Sequence, residues 1–530
     1  MIFKNVKDKK YIFTLLIISI ISFFSNIWVR DADLMEQRNF ITAREMIKNG
    51  NYFVTTLNNN LRFEKPPLPT WLTAFVMKIT NNFADEWVLR IPAALTGILL
   101  VFFIYYMVKL LTNSSTKAFF SAFVAETMFM LIKTSNENSW DIYTYSFAFG
   151  GILFLLYGFK YNKISYYISS GIFLAFSIMS KGPVGIYGIF IPFIISYIWA
   201  FGIKEFKENW KNILLMLVVT IVLASIWPVA MYLKYPDYFL SILNKEQNTW
   251  SNRHTQSVIF YLDYFIYTGV WIFFSIIAFF KNWKTLKQDK YSKFIFIWNI
   301  LVIIFLSAIK MKKKRYGIPI YVTTSLNIGF ICSYYWTTLW TNLKKYDRVL
   351  LYIQSGFIIL VSLAISILFL IESFYYKRLN PFYAIVSSII YFIILYTIVK
   401  LFKFRKNLVG RFIIIVSGLF MVLVNINASW YIDTNLLHKK TTNNYLTARL
   451  LRQEPPKLDI YSTNFSVDDI WNAGKQIKPF DNNFNFPNKL IILGEIPENL
   501  KDDYNIRKTK IFSDNEGDIL KLYYLKKKER

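Results

Sequence analysis

Apolar residues in this chain gather into runs of about 17 to 25 residues, the length a helix needs to cross roughly 30 Å of hydrocarbon. The runs predict spans near 11–29, 88–110, 117–133, 141–160, 164–180, 182–201, 212–233, 258–280, 292–309, 316–340, 349–371, 382–400 and 411–430. That is about thirteen helices, a polytopic α-helical membrane protein. The first run follows Lys4, Lys7, Lys9 and Lys10 as a secretory leader would. No small-residue cleavage site comes after it and many more apolar runs do, so it reads as a retained first span.

The connections alternate in character. Counting from a cytoplasmic N-terminus, the inner ones are short and basic: Lys109 with Lys117, Lys160 with Lys163, Lys204 with Lys207 and Lys211, Lys281 to Lys293, Lys344 with Lys345 and Arg348, and Lys400 to Arg411. The positive-inside rule asks for this pattern. An odd number of spans then puts the last hundred residues outside. Two outer connections, 30–87 and 234–257, are long. A third, Lys310 to Arg315, is strongly basic and breaks the rule. Either the count is off by one, or these cations stand on the outer face to meet a polyanionic headgroup.

Beyond residue 430 the pattern changes. Asn, Asp, Lys and Pro become common, and Leu458–Tyr461, Lys489–Leu493 and Ile519–Leu525 read as strands, with helices at Thr442–Arg452 and Val467–Ala473. The expected organisation is a transmembrane domain over 1–430 and a small soluble α/β domain over 431–530. His438, in a polar setting without clustered partners, reads as a surface residue.

Composition agrees with a bilayer as solvent. The 530 residues are 55% hydrophobic and 18% charged, against about 25% charged in soluble domains. The formal net charge of +28 is explained by basic loops and anionic headgroups better than by nucleic acid. The single cysteine, Cys332, excludes an intramolecular disulfide and a Cys-based zinc site.

The first outer loop carries the densest chemistry. Arg30-Asp-Ala-Asp33 leads into an amphipathic helix with Phe40, Ile41, Met46 and Ile47 apolar and Arg38, Arg44 and Glu45 polar, stopped by Asn49-Gly50. Such a helix is expected to lie along the membrane interface. Phe63-Glu-Lys-Pro-Pro-Leu68 follows, a carboxylate beside an ammonium on a backbone that the prolines hold out of helix.

The succession Glu36-Gln-Arg-Asn-Phe-Ile-Thr-Ala-Arg-Glu-Met-Ile, Gly50-Asn-Tyr, and Arg62-Phe-Glu-Lys-Pro-Pro-Leu with Trp71 resembles the first periplasmic loop of bacterial polyprenyl-phosphate-dependent glycosyltransferases of the GT-C superfamily. The aminoarabinose lipid A transferases are similar, the protein O-mannosyltransferases more distantly. Trp140-Asp-Ile-Tyr143, Met179-Ser-Lys-Gly-Pro183, Trp227-Pro-Val, Tyr235-Pro-Asp-Tyr-Phe239, Glu246 and Lys310 to Pro319 follow in the family's order. The likeness covers about the first 330 residues and then fades.

The resemblance implies a bundle of about thirteen helices with an outward catalytic cavity in the bacterial inner membrane. It also implies transfer, with inversion, of a sugar from a polyprenyl (undecaprenyl) phosphate donor to a lipid, glycan or protein acceptor. By the same likeness Asp33, Glu36 and Asp141 are candidate catalytic carboxylates, Asp33 first because Met35 occupies the position where the family carries its acidic residue. Lys65, Lys181, Lys312, Lys313, Lys314, Arg315 and Tyr316 match donor phosphate-binding positions. Glu64 and Glu246 match donor-site or metal positions. A divalent cation is left open, since Gln247 stands where some relatives have histidine and His254 is not in the matching place. Transport of lipid-linked sugars is the rival reading, but no internal repeat of the transporter kind is apparent. An envelope scaffold would not need the clustered acids.

Overall fold

A computed structural model describes residues 6–285, 289–404, 406–431, 458–480, 486–513 and 519–528. His438 and the helix expected at 442–452 lie outside the described residues. The chain divides into two compact units, one of Met1–Ile27, Glu64–Pro69 and Ile91–Ser429, the other of Trp28–Phe63, Thr70–Arg90 and Trp430–Arg530.

The first unit is a helix bundle. Through both units in chain order, the helices to Lys181 are α1 (Val6–Phe24), then α2 (Leu34–Asn49) and α3 (Leu68–Thr80), which belong to the second unit but for Leu68 and Pro69, then α4 (Glu86–Thr112), α5 (Ser115–Glu126), α6 (Phe129–Ser135), α7 (Trp140–Tyr161) and α8 (Ile164–Lys181). A π-helical turn, Ile186–Phe190, leads into α9 (Ile191–Phe201), then come α10 (Lys204–Glu208), α11 (Trp210–Lys234) and α12 (Pro236–Asn252). A 3-10 stretch, Val258–Trp271, runs into α13 (Ile272–Thr285), followed by α14 (Lys290–Ala308), α15 (Ile318–Thr337), α16 (Lys345–Leu370), α17 (Pro381–Phe404) and α18 (Val409–Tyr431).

Every expected span falls on helix, yet thirteen is not reached on length and apolarity. Among the described residues eight helices meet that standard, or nine if α5 and α6, bent by 65°, make one span. The shortfall has local causes: α1 opens on Lys7, Asp8, Lys9 and Lys10, serines and Lys181 dilute α8, α9 is short, and α15 carries Thr323, Thr324, Ser325 and Asn327. The polar groups of α15 are buried. Asn299 of α14 donates to Thr323 at 2.8 Å and Thr324 at 3.0 Å, since hydrocarbon cannot satisfy a side-chain amide. Close packing uses glycine where it must: a Cβ on Gly329 of α15 would strike the backbone of Ser121 in α5.

Two expectations for this unit are corrected. Residues 234–257, read as a loop, are mostly the helix α12, because Pro236 sits at its first turn and pre-sets the helical backbone. The span at 258–280 is not one α-helix: its first half is 3-10, kinked at Gly269 with φ +69°, a positive φ that glycine adopts without steric cost.

The second unit joins the first loop to the C-terminal segment. A mixed five-stranded sheet is ordered β4-β3-β5-β7-β6, from β3 (Ile460–Ser462), β4 (Ile477–Pro479), β5 (Lys489–Leu493), β6 (Tyr504–Ser513) and β7 (Ile519–Lys527), after a small hairpin β1 (Thr56–Leu57) and β2 (Asn60–Leu61). Helix α19 (Val467–Ala473) connects β3 to β4, which pair in parallel. Phe40, Ile41, Ala43 and Met46 of α2 pack with Ile470 and Trp471 of α19 and with Ile491, Leu493 and Leu522 of the sheet. The apolar face of α2 is therefore covered by protein, not by lipid, because a sheet with one apolar face must also bury it.

Candidate active site

Asp33 and Glu36 belong to the start of α2. Asp33 is its N-cap, and its Oδ1 accepts from the backbone N–H of Met35 at 2.8 Å and Glu36 at 2.9 Å. Glu36 Oε2 accepts in return from Asp33 N–H at 3.2 Å, completing a capping box. The Glu36 carboxylate is fully buried and receives Arg90 Nε at 2.7 Å and Nη2 at 2.8 Å. Both acids thus have structural partners within their own unit. Asp-x-x-Glu before an apolar run is the sequence signal of such a cap.

In the first unit, a second group forms where three elements end. Asp141 lies in the first turn of α7, after the N-cap Ser139, and is 2% exposed. Lys181 is the last residue of α8, terminated by Gly182 at φ +77° and then Pro183. Its ammonium pairs with Asp141 Oδ1 and lies 3.9 Å from the centre of the Tyr316 ring. Arg315 Nε stands 3.6 Å from Asp141 Oδ2. The charges of Lys65 and Arg315 also act on Lys181, and that of Glu246 acts on Tyr316.

Around this group the Glu64-Lys65 dipeptide meets Lys245-Glu246 of α12 in crossed fashion, Lys65 to Glu246 at 3.0 Å and Lys245 to Glu64 at 3.3 Å. Lys65, Lys181 and Arg315 against Asp141 and Glu246 leave one net positive charge.

The basic segment 310–316 is held by the 254–263 segment. Lys312 N–H donates to His254 O and Gln256 N–H to Lys310 O, both at 3.1 Å. Lys312 Nζ donates to Gln256 O at 3.0 Å, and Lys314 Nζ to Phe260 O at 2.9 Å and Asp263 at 2.5 Å. Tyr261 O–H donates to Lys313 O at 3.2 Å and Tyr145 O–H to Tyr316 O at 3.4 Å. Lys313 is extended, with φ −138° and ψ 151°, so alternate side chains diverge. Lys312 and Lys314 turn to the 254–263 segment and Arg315 to Asp141. Burial lowers the pKa of Lys312. The charge of the Lys313 ammonium lowers that of the His254 imidazole.

The structure therefore brings together Asp141, Lys181, Arg315, Tyr316, Lys65 and Glu246, and uses Lys312 and Lys314 as tethers. Asp263, Tyr261 and Tyr145 escaped the sequence reading. Asp263 had a signal: an acid inside an apolar run reports a buried partner or a function. For a divalent cation the donor set fits poorly. Glu64 and Glu246 each face a lysine, and among the described residues no three His, Cys, Asp or Glu side chains converge.

Residues 64–232 match the family described as dolichyl-phosphate-mannose-protein mannosyltransferase. That region holds Lys65, Asp141 and Lys181 but stops before Glu246 and Arg315. The chain is 24% identical over 472 residues to the undecaprenyl phosphate-alpha-4-amino-4-deoxy-L-arabinose arabinosyl transferase of Shewanella sediminis, covering 82% of this chain and 80% of that one. It is 26% identical over 377 residues to an uncharacterized protein of Aquifex aeolicus, covering 70% and 82%. ArnT from Cupriavidus metallidurans, solved bound to undecaprenyl phosphate, matches with a TM-score of 0.70 at 13% identity over 97% of both chains.

The chain has the GT-C glycosyltransferase fold. The oligosaccharyltransferase of Archaeoglobus fulgidus shares that GT-C fold at a TM-score of 0.54 and 12% identity, over 90% of this chain and 65% of the other. The resemblance read from the first-loop blocks holds, and it reaches further than the first 330 residues, since the alignment with the Shewanella transferase spans 82% of the chain.

Proposed function

We propose that this GT-C protein is an integral-membrane glycosyltransferase that takes a sugar from a polyprenyl phosphate and passes it to a lipid, glycan or protein acceptor at the outer face of the bacterial inner membrane, with its N-terminus cytoplasmic. The observation that carries the reading is the pairing of Lys181 and Arg315 with Asp141, together with the Lys65–Glu246 pair whose lysine also acts on Lys181, three cations against two acids.

A sugar-phosphate-prenyl diester carries one negative charge. When the bond from the anomeric carbon to the phosphate oxygen breaks, the departing monophosphate gains more. Cations already fixed at that point stabilise the charge as it develops. The acceptor oxygen or nitrogen forms the new bond to the anomeric carbon from the opposite side, and its proton passes to a carboxylate, a step worth roughly 10²- to 10⁴-fold. Asp141 stands among cations, Lys181 and Arg315, and we assign it the carboxylate role. Asp33 and Glu36 are assigned to shaping α2.

The test is mass spectrometry of envelope lipids and glycans from cells with the protein, without it, and with Asp141→Ala. One sugar increment on an envelope component is expected only with the parent chain. Identical profiles in all three would defeat the proposal.

A further inference from the structure

Two buried tyrosines with no part in the chemistry above grip the backbone on either side of Arg315. Tyr261 O–H donates to Lys313 O at 3.2 Å and Tyr145 O–H to Tyr316 O at 3.4 Å. Lys313 O also accepts the Tyr316 N–H at 3.0 Å, closing the 3-10 turn Lys314–Gly317 in which Arg315 lies. Tyr145 and Tyr261 are 0% and 2% exposed, and the charge of Asp141 acts on both phenols. Each contact is longer than the roughly 2.8 Å that an O–H donor prefers. Their hold comes from being paired, one on each flank of the turn, and from the burial of both rings.

The two phenols arrive from different elements. Tyr145 stands one helical turn after Asp141 on α7, hence on the same face, roughly 5 to 6 Å away. Helix α7 therefore holds the turn at two points, the Arg315 side chain through Asp141 Oδ2 at 3.6 Å and the backbone through Tyr145. The Tyr145 ring is backed by the π-helical turn that follows Lys181, where a Cβ on Gly188 would meet it at 3.4 Å. Tyr261 comes from the 3-10 stretch Val258–Trp271, and its ring lies beside Gly317, where a Cβ would meet it at 3.5 Å.

An arginine has a long side chain with much freedom to lose, and a cation already in place stabilises a developing charge without reorganising. Resting on the transferase reading above, we infer that Tyr145 and Tyr261 are positioning residues, a clamp on the Lys313–Tyr316 backbone that sets where Arg315 meets the lipid phosphate. Neither phenol acts on the reacting atoms.

The full-length chain in phosphatidylcholine nanodiscs is titrated with undecaprenyl phosphate. Tyr145→Phe and Tyr261→Phe keep each ring and remove only the hydroxyl, and each is expected to weaken binding about tenfold. Tyr335→Phe removes another buried phenol, whose O–H donates to Asp347 Oδ1 at 2.7 Å, and is expected to leave binding unchanged. In an Arg315→Ala background, itself weaker than the parent, Tyr145→Phe and Tyr261→Phe are expected to change affinity by less than about twofold, because a clamp acts only through the residue it positions. Tenfold losses that persist in that background, or that Tyr335→Phe shares, overturn the positioning role. So does parent-like affinity in both Phe variants while the parent binds. Failure of the parent itself to bind undecaprenyl phosphate would strike the donor reading and the clamp with it.

Discussion

At the residue scale, side chains that look catalytic by type are sorted by what holds them. Asp33 caps α2, so Asp33→Ala is expected to cost about 1 kcal/mol of stability, seen as a lower melting temperature in detergent, with transfer retained in the surviving protein. Loss of transfer at full stability would return Asp33 to the chemistry. Glu36 and Arg90, 0% and 1% exposed, form a buried pair whose disruption leaves an uncompensated charge. Glu36→Ala should therefore destabilise by roughly 3 to 5 kcal/mol and reduce the amount of folded protein recovered. The capping role was legible beforehand, since Asp33-Leu-Met-Glu36 precedes an apolar helix and Gly50 ends it at φ +64°. The Arg90 partner was not, because 54 residues separate it from Glu36 and only the fold joins them.

At the element scale, periodicity located what depends on neighbours in sequence. The strands at 489–493 and 519–527 and the helix at 467–473 stand where apolar alternation and turn residues placed them. What it missed depends on tertiary partners. The apolar stripe of α2 is the same whether lipid or a sheet covers it, and the pairing of 310–316 with 254–263 joins two segments some fifty residues apart. That pairing has a consequence for the donor site. Lys314 and Asp263, 2.5 Å apart, tie down the segment that carries Arg315, and on the proposed reading their role is to position Arg315. Either Lys314→Asp or Asp263→Lys alone should weaken undecaprenyl phosphate binding about tenfold, and the double exchange should recover most of it. Equal loss in the single and double variants would show that Lys314 acts on the phosphate directly.

For the whole molecule, the excess of positive charge divides by location. Most of it lies on short connections between helices, which the proposed orientation places on the cytoplasmic side as the positive-inside rule asks. The Lys310–Arg315 segment is the exception in that orientation, and its tie to the 254–263 segment, with Arg315 3.6 Å from Asp141, gives a structural reason for cations there. A cysteine at Lys313 is expected to react with an impermeant maleimide added outside spheroplasts. Labelling only after the membrane is opened would invert the topology and take the proposed site off the outer face.

The central claim is that Asp141 and its surrounding cations move a sugar off a lipid phosphate. Its most direct measurement is transfer in proteoliposomes that hold a sugar-loaded undecaprenyl phosphate and the cell's own envelope extract. The parent chain should form a glycosylated product of inverted anomeric configuration, and Asp141→Asn or Arg315→Ala should slow its formation by roughly 10²-fold or more. Product formed at the parent's rate by both variants would contradict the account.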